Sequence, residues 1–208
     1  MSAVSTSAIR TRRREQRENT RREILAAADR LLREHPYRDL SVDLLMAQTG
    51  LTRTAFYRHF DDVPGLVLRL LQDVGREVYE VGARWVASTL DFPEAAREGL
   101  AGIVDFFVRH GRLVRAVSDA AATDEQIEQG YKAFMTAFTE MIGEGLDQLV
   151  ERGQLKVPDT HALALALNLM NEAYLLEQFG REPLADRDIA LATLETVWLR
   201  VLSPPRDP

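Results

Sequence analysis

Cysteine is absent from the 208 residues, which excludes a disulfide framework and any thiolate metal site and suits a reducing, cytoplasmic setting. Histidine is scarce. His35, His59, His110 and His161 are the only four, and no two stand at the i, i+4 spacing that would let them share a metal ion. No metal and no cofactor is therefore expected. Long apolar runs are missing too. A membrane-spanning helix needs about 18 uncharged apolar residues in a row, whereas the most apolar early stretch, Leu66 to Leu71, is interrupted by Arg69. The arginine-rich beginning is followed by no apolar segment, so no secretory leader is expected. No serine sits in a nucleophile elbow, and no glycine-rich loop could cradle a phosphate; Gly143 and Gly145 lie inside a helical pattern, where a close helix contact explains them. Enzyme chemistry has no foothold here.

What is present is enough apolar residue for a core, 46%, and 28% charge, as in a soluble globular chain. The net charge of −6 is unevenly placed: twelve arginines against nine carboxylates leave residues 1–62 at +3, so the remainder carries −9. A basic head on an acidic body suits a polyanion partner, and equally a solvated, disordered arm.

Residues 1–18 are rich in Ser, Thr and Arg with little to bury, and read as a flexible basic arm. Helical periodicity then begins. Ile24, Leu25, Ala28, Leu31 and Leu32 share one face, and the helix should stop near His35-Pro36. Ser41 is placed to cap a short helix over about 42–49, Gly50 to end it, and Thr52 to cap another over about 53–60. Asp62 can cap a long helix that accepts Pro64 in its first turn. Beyond it the pattern is helical at 63–89, 94–109, 112–120, 124–152, 159–179 and 186–202, with His110-Gly111 among the separators.

Two short helices joined by a tight glycine-containing turn make a helix-turn-helix unit. Val42, Leu45 and Met46 would face the core from the first, Leu51 would fill the turn, and Phe56 and Phe60 would anchor the second. That leaves Thr52, Arg53, Thr54, Tyr57, Arg58 and His59 outward, a surface of cations, hydroxyls and aromatics without a carboxylate. Such a surface suits the major groove, where Arg reads guanine edges while hydroxyls and Tyr hold phosphates.

The order and spacing of Ile24-Leu25-Ala26-Ala27-Ala28, Ser41-Val42, Gly50-Leu51-Thr52, Phe56-Tyr57-Arg58-His59-Phe60 and Leu66 resemble the DNA-binding domain of the TetR family of repressors, over residues 20–66. The resemblance implies that the second short helix enters the major groove of double-stranded DNA, with Arg53, Thr54 and Arg58 nearest the bases. Ser41, Thr52, Tyr57 and His59 would hold the backbone, and the arm, with Arg13 and Arg14, would reach along the adjacent groove. Two positions depart from the family pattern: Ala55 stands where Thr is usual before the aromatic pair, and Val63 where Lys is frequent. Both remove expected contacts and bear on which operator is read.

In the C-terminal body, Asn168 and Asn171 lie three apart on one face of an apolar helix. A buried amide without partners costs about 1–3 kcal/mol, so the two are either a satisfied core pair or polar handles in a ligand pocket. This stretch, with Val104-Asp105-Phe106-Phe107, Phe134-Met135 and Trp198, resembles the ethionamide-type repressor branch of the family, which carries a long, narrow apolar pocket. By that resemblance Phe106, Tyr131, Met135, Phe138, Met141, Asn168, Asn171 and Trp198 would line a site for a small lipophilic effector; taken singly, each aromatic is also explained by ordinary core packing. Tyr131 and Phe138 stand where Trp might be expected. The last two helices, 159–179 and 186–202, occupy the place where the family forms its homodimer, and Leu163, Leu165, Leu167, Leu169, Met170, Tyr174, Leu175 and Leu176 fall nearly all round the first of them.

The expectation is an all-α chain of about nine helices: an arm at 1–18, a helix-turn-helix DNA-binding domain at 19–64 and a ligand-binding and dimerisation domain at 65–208. It would act as a ligand-responsive regulator binding a pseudo-palindromic operator as a dimer. The alternative is a helical protein-interaction adaptor with a vestigial helix-turn-helix.

Overall fold

Most helix starts in this chain fall where a capping side chain stands. The computed structural model describes residues 2–202, with side chains from residue 10 onward. Among them there are eight α-helices, one short 3-10 turn and no strand: α1 (Ser2–Glu34), the turn Tyr37–Asp39, α2 (Val42–Thr49), α3 (Arg53–Tyr57), α4 (Val63–Val86), α5 (Phe92–Ala121), α6 (Glu125–Glu151), α7 (Thr160–Phe179) and α8 (Arg187–Leu202). The chain divides into two compact units, Met1–Leu70 and Leu71–Pro208, and the division falls inside α4.

In the first unit, the Ser41 hydroxyl accepts the Leu44 N–H at 3.2 Å and starts α2. Gly50, at φ 66°, ends it in the left-handed conformation that glycine adopts without steric cost. The Thr52 hydroxyl accepts from Ala55 N at 3.3 Å to start α3, and Asp62 accepts from Gly65 N at 2.7 Å at the start of α4. The core is Ile24, Leu25, Ala28, Leu31 and Leu32 of α1 against Leu45, Met46, Phe56, Phe60 and Leu66. Val42 and Leu51, expected inside, are half-buried. Fully burying a ring such as Phe56 stabilises by about 1.5–3 kcal/mol, which ties a five-residue helix to its support.

The segment read as a flexible arm differs. α1 extends back to Ser2, although residues 10–19 are all exposed. Local chemistry accounts for this. Arginine and glutamate are good helix formers, and neighbours one turn apart pair: Arg21 with Glu18 at 3.9 Å, and Arg22 donating to Asn19 at 2.5 Å.

In the second unit, α5 packs against α6, α7 and α8, and α6 against α7. Asp124 caps α6 through Ile127 N at 3.1 Å, and Asp159 caps α7 through Ala162 N at 2.9 Å. The core runs through Phe106, Leu113, Ile127, Leu146, Leu175 and Phe179, all fully buried. The break expected at His110-Gly111 is absent, and 94–109 and 112–120 are one helix. Gly111 serves a close approach instead: a Cβ there would stand 2.6 Å from the Phe179 carbonyl oxygen. Glycine lets the backbone of α5 lie against the end of α7, and the contact repays its low helix propensity. Gly145 likewise leaves room for the indole of Trp85, which a Cβ would overlap.

Candidate functional site

On the first unit, Thr52, Arg53, Thr54, Tyr57 and Arg58 are exposed and His59 is half-buried, while Phe56 between them is fully buried. The alternation follows from helical geometry: a five-residue helix with one anchor facing inward must present the rest. Tyr57 stands edge-on to Phe56, centroids 5.3 Å apart, with half its surface open. Ser41 is exposed at the start of α2, its oxygen accepting the capping bond and its hydroxyl proton free to donate outward.

Beside these residues of α3 stands a carboxylate of α2 that the sequence reading did not place there. Asp43 of α2 accepts from Arg53 Nη1 with both oxygens at 2.8 Å, and Arg53 Nη2 donates to the Tyr57 hydroxyl at 3.5 Å. The Tyr57 bond first, and then the Asp43 charge, raise the Arg53 pKa further. The ion pair is well exposed on both sides, so it orients the guanidinium at little cost to exchange for another acceptor. Asp43 escaped sequence reasoning because its neighbour in space is ten residues away in the chain.

Beside α3 lies a concave basic surface lined by Arg10, Arg13, Arg14, Arg17, Glu18, Arg21, Arg58 and His59. The five α1 arginines recur at 10, 13, 14, 17 and 21, one face of a helix. Arg13 and Arg14 were anticipated; Arg10 and Arg17 were missed because a stretch read as a flexible arm has no faces, and Arg21, just beyond it, was not singled out. Partial burial first, and then the positive charges of Arg17 and Arg21, push the His59 pKa below its ordinary value. A neutral imidazole there can still donate one N–H.

In the second unit, two small cavities of about 20 Å³ each lie among α4, α5, α6, α7 and α8. The first touches Val81, Gly82, Trp85, Met141 and Trp198, the second Phe106, Tyr131, Phe134, Met135, Asn168, Asn171 and Glu172, and both touch Ile103 and Phe138. All eight residues expected to line a pocket thus line one cavity or the other. Val81, Gly82, Trp85, Ile103, Phe134 and Glu172 were not anticipated. The α4 members carry no pattern in sequence that separates a cavity wall from a core.

The two asparagines part company. Asn168 Nδ2 donates to Thr139 Oγ1 at 2.8 Å and to the Met135 carbonyl at 3.2 Å, joining α7 to α6. Asn171 Oδ1 accepts from Trp198 Nε1 at 3.1 Å, but its buried Nδ2 has no partner among the described residues. The Tyr131 hydroxyl donates to Glu172, and burial first, then that carboxylate, raise its pKa strongly. Trp198 also meets Trp85 edge-to-face at 6.0 Å. Among the described residues no group of three His, Asp or Glu could hold a metal ion, and no helix is long and apolar enough to cross a membrane.

Residues 24–70 match the family described as bacterial regulatory proteins, tetR family, and residues 96–202 match the C-terminal domain of the transcriptional regulator EthR. The chain is 30% identical over 181 residues to the HTH-type transcriptional regulator EthR of Mycobacterium tuberculosis, covering 85% of this chain and 83% of that protein. The fold is also that of the fatty acid degradation regulator FadR from Bacillus halodurans, with a TM-score of 0.76 at 14% identity over 86% of this chain and 94% of that one. It is likewise that of SmeT in its triclosan complex, with a TM-score of 0.73 at 18% identity over 90% and 93%.

Proposed function

Since this chain belongs to the TetR family of transcriptional regulators, with an EthR-type C-terminal domain, we propose that it is a dimeric repressor released from a pseudo-palindromic operator by a small lipophilic effector. The family consists of regulators, not enzymes. The observation that carries the DNA-binding part is the face of α3: Thr52, Arg53, Thr54, Tyr57 and Arg58 open to solvent on a helix pinned from behind by buried Phe56. In this reading Arg53, Thr54 and Arg58 meet base edges. Ser41, Thr52, Tyr57 and His59 hold phosphates, and Arg13 and Arg14 extend the contact along the backbone.

Dimerisation is supported by an uncovered apolar stripe on α7, where Ala162, Leu165, Ala166, Leu169 and Ala173 are exposed at helical spacing, together with exposed Ile189 and Val201 of α8. Two-fold pairing of such a stripe removes it from water and sets two copies of α3 at a fixed separation.

The effector part is supported by the cavities and by the spare donor of Asn171. A ligand can shift the operator equilibrium only by binding one conformation better than another. The cavities are nearly filled, so entry displaces side chains of α4 such as Val81 and Trp85, and α4 is the helix that begins in the DNA-binding unit at Val63.

Footprinting on the DNA flanking its own gene, repeated with a library of lipophilic compounds, tests both halves. A salt-sensitive, two-fold symmetric footprint that fades with an apolar compound is expected. Indifference to every duplex at low ionic strength, the behaviour of an interaction adaptor, overturns the reading. Tight ligand binding that leaves operator affinity unchanged overturns the effector half.

A further inference from the structure

The second cavity holds more than apolar wall. Glu172 lies in its lining with Asn171 and the rings of Phe106, Phe107, Tyr131, Phe134 and Phe138. The rings of Phe134 and Tyr131 lie 6.5 Å apart at 26° to one another, so two aromatic rings share this lining with Glu172. The hydrogen-bond partner of Glu172 is the Tyr131 hydroxyl, a neutral donor, and no cation pairs with it among the described residues. Arg115, whose charge acts weakly on Tyr131, is itself bound to Asp119 at 3.0 Å.

Glu172 is half-buried at this lining, and the phenol that bonds it satisfies one oxygen without supplying charge, so its carboxylate has no matching cation among the described residues. Aromatic faces present partial negative charge to whatever lies over them. Both features attract a cation and repel an anion, and the low dielectric of the cavity strengthens both effects.

We propose that the cavity selects its effector by charge: it takes an apolar molecule bearing a protonated amine, seated between Glu172 and the rings of Tyr131 and Phe134, and rejects the carboxylate counterpart of the same chain length. This rests on the effector-pocket reading above and adds the chemical class of the ligand. The apolar tail occupies the direction of Phe138 and Ile103, the residues shared with the neighbouring cavity.

Three probes of equal length, octylammonium, octanol and octanoate, measured by calorimetry on the full chain at neutral pH, test it. Octylammonium should bind at least tenfold tighter than octanol, and octanoate more weakly than octanol. Glu172→Gln should abolish the advantage of octylammonium over octanol. The wild-type ranking is a test in itself should that variant fold poorly. Octanoate binding as well as octylammonium, the same ranking surviving in a folded Glu172→Gln, or no probe binding, overturns the proposal. Operator affinity measured in parallel separates the two readings. The expected ranking without operator release leaves the charge selection standing and removes the effector role. Release by other lipophilic compounds with no ranking does the reverse.

Discussion

Asp43 holds Arg53 through both carboxylate oxygens at 2.8 Å, on the same face that turns α3 outward. The cation expected to read a base is thus already in a carboxylate's grip, and a guanine edge or phosphate must take Asp43's place. Arg53→Ala should lower operator affinity by about 1–3 kcal/mol and relax preference at one base position. Binding to the operator and its single-base variants checks this; equal weakening on all sequences makes Arg53 a phosphate contact. Asp43→Asn should raise affinity for every duplex, because it removes both a competitor and a like charge facing the phosphates.

The basic face of α1 predicts a salt signature. Each lost phosphate contact lowers the slope of log K against log salt by about 0.9. Arg10→Gln, Arg13→Gln and Arg14→Gln combined should reduce the slope by roughly two to three while base preference is kept. An unchanged slope means that this stretch does not touch DNA.

His59 should titrate below its ordinary value in the free protein, and Arg17→Gln with Arg21→Gln should move it back upward, since those charges contribute to the shift after desolvation. The folded state then binds fewer protons than the unfolded chain just below the ordinary histidine pKa. Its stability contribution is present above that value and is lost as pH falls through it toward the folded pKa. A proton NMR titration of the imidazole reads both; a wild-type value at or above the ordinary one removes the effect.

Asn168→Leu should destabilise the protein by about 1–3 kcal/mol without any ligand, because it removes the amide bonds that join α7 to Thr139 and the Met135 carbonyl. Asn171→Leu strands the Trp198 indole N–H, so it should cost stability as well as ligand response. Asn171→Asp keeps an acceptor for Trp198 but puts a carboxylate in place of the spare donor, and an unpaired buried charge should itself cost stability. Thermal unfolding with and without an apolar ligand separates these outcomes.

Gly111→Ala should lower stability even though alanine favours a helix by about 1 kcal/mol over glycine. The new methyl would meet a backbone carbonyl, which cannot swing aside as a side chain can. Urea unfolding decides; a gain in stability shows that the approach of Phe179 is looser than described.

Local chemistry made the short elements legible. Ser41, Gly50, Thr52 and Asp62 each act through groups within three or four residues, so reading them in order places α2, α3 and the start of α4. Periodicity located the α1 core because Ile24, Ala28, Leu31 and Leu32 face one neighbour. What stayed hidden depends on partners remote in the chain. Gly111 reads as a breaker until Phe179, sixty-eight residues later, is known to lie against it. Asp43 reads as a solvated first-turn acid until Arg53 arrives beside it. The pocket residues Phe106 to Trp198 were reached through family likeness, since an aromatic in a cavity wall and one in a filled core have the same spacing. Trp85 lacked even that guide, and Glu172, inside the stretch that carries the likeness, was not picked out by it.

Ile103 and Phe138 belong to the linings of both cavities. They therefore stand where two small compartments adjoin, and the ring of Phe138 is the larger of the two side chains. Each compartment is only about 20 Å³, so under the effector reading any guest must move side chains, and one long enough to reach both must also move that ring. Under the same reading, trimming Phe138 should change which lengths of guest are accepted while leaving every residue proposed to meet DNA unaltered.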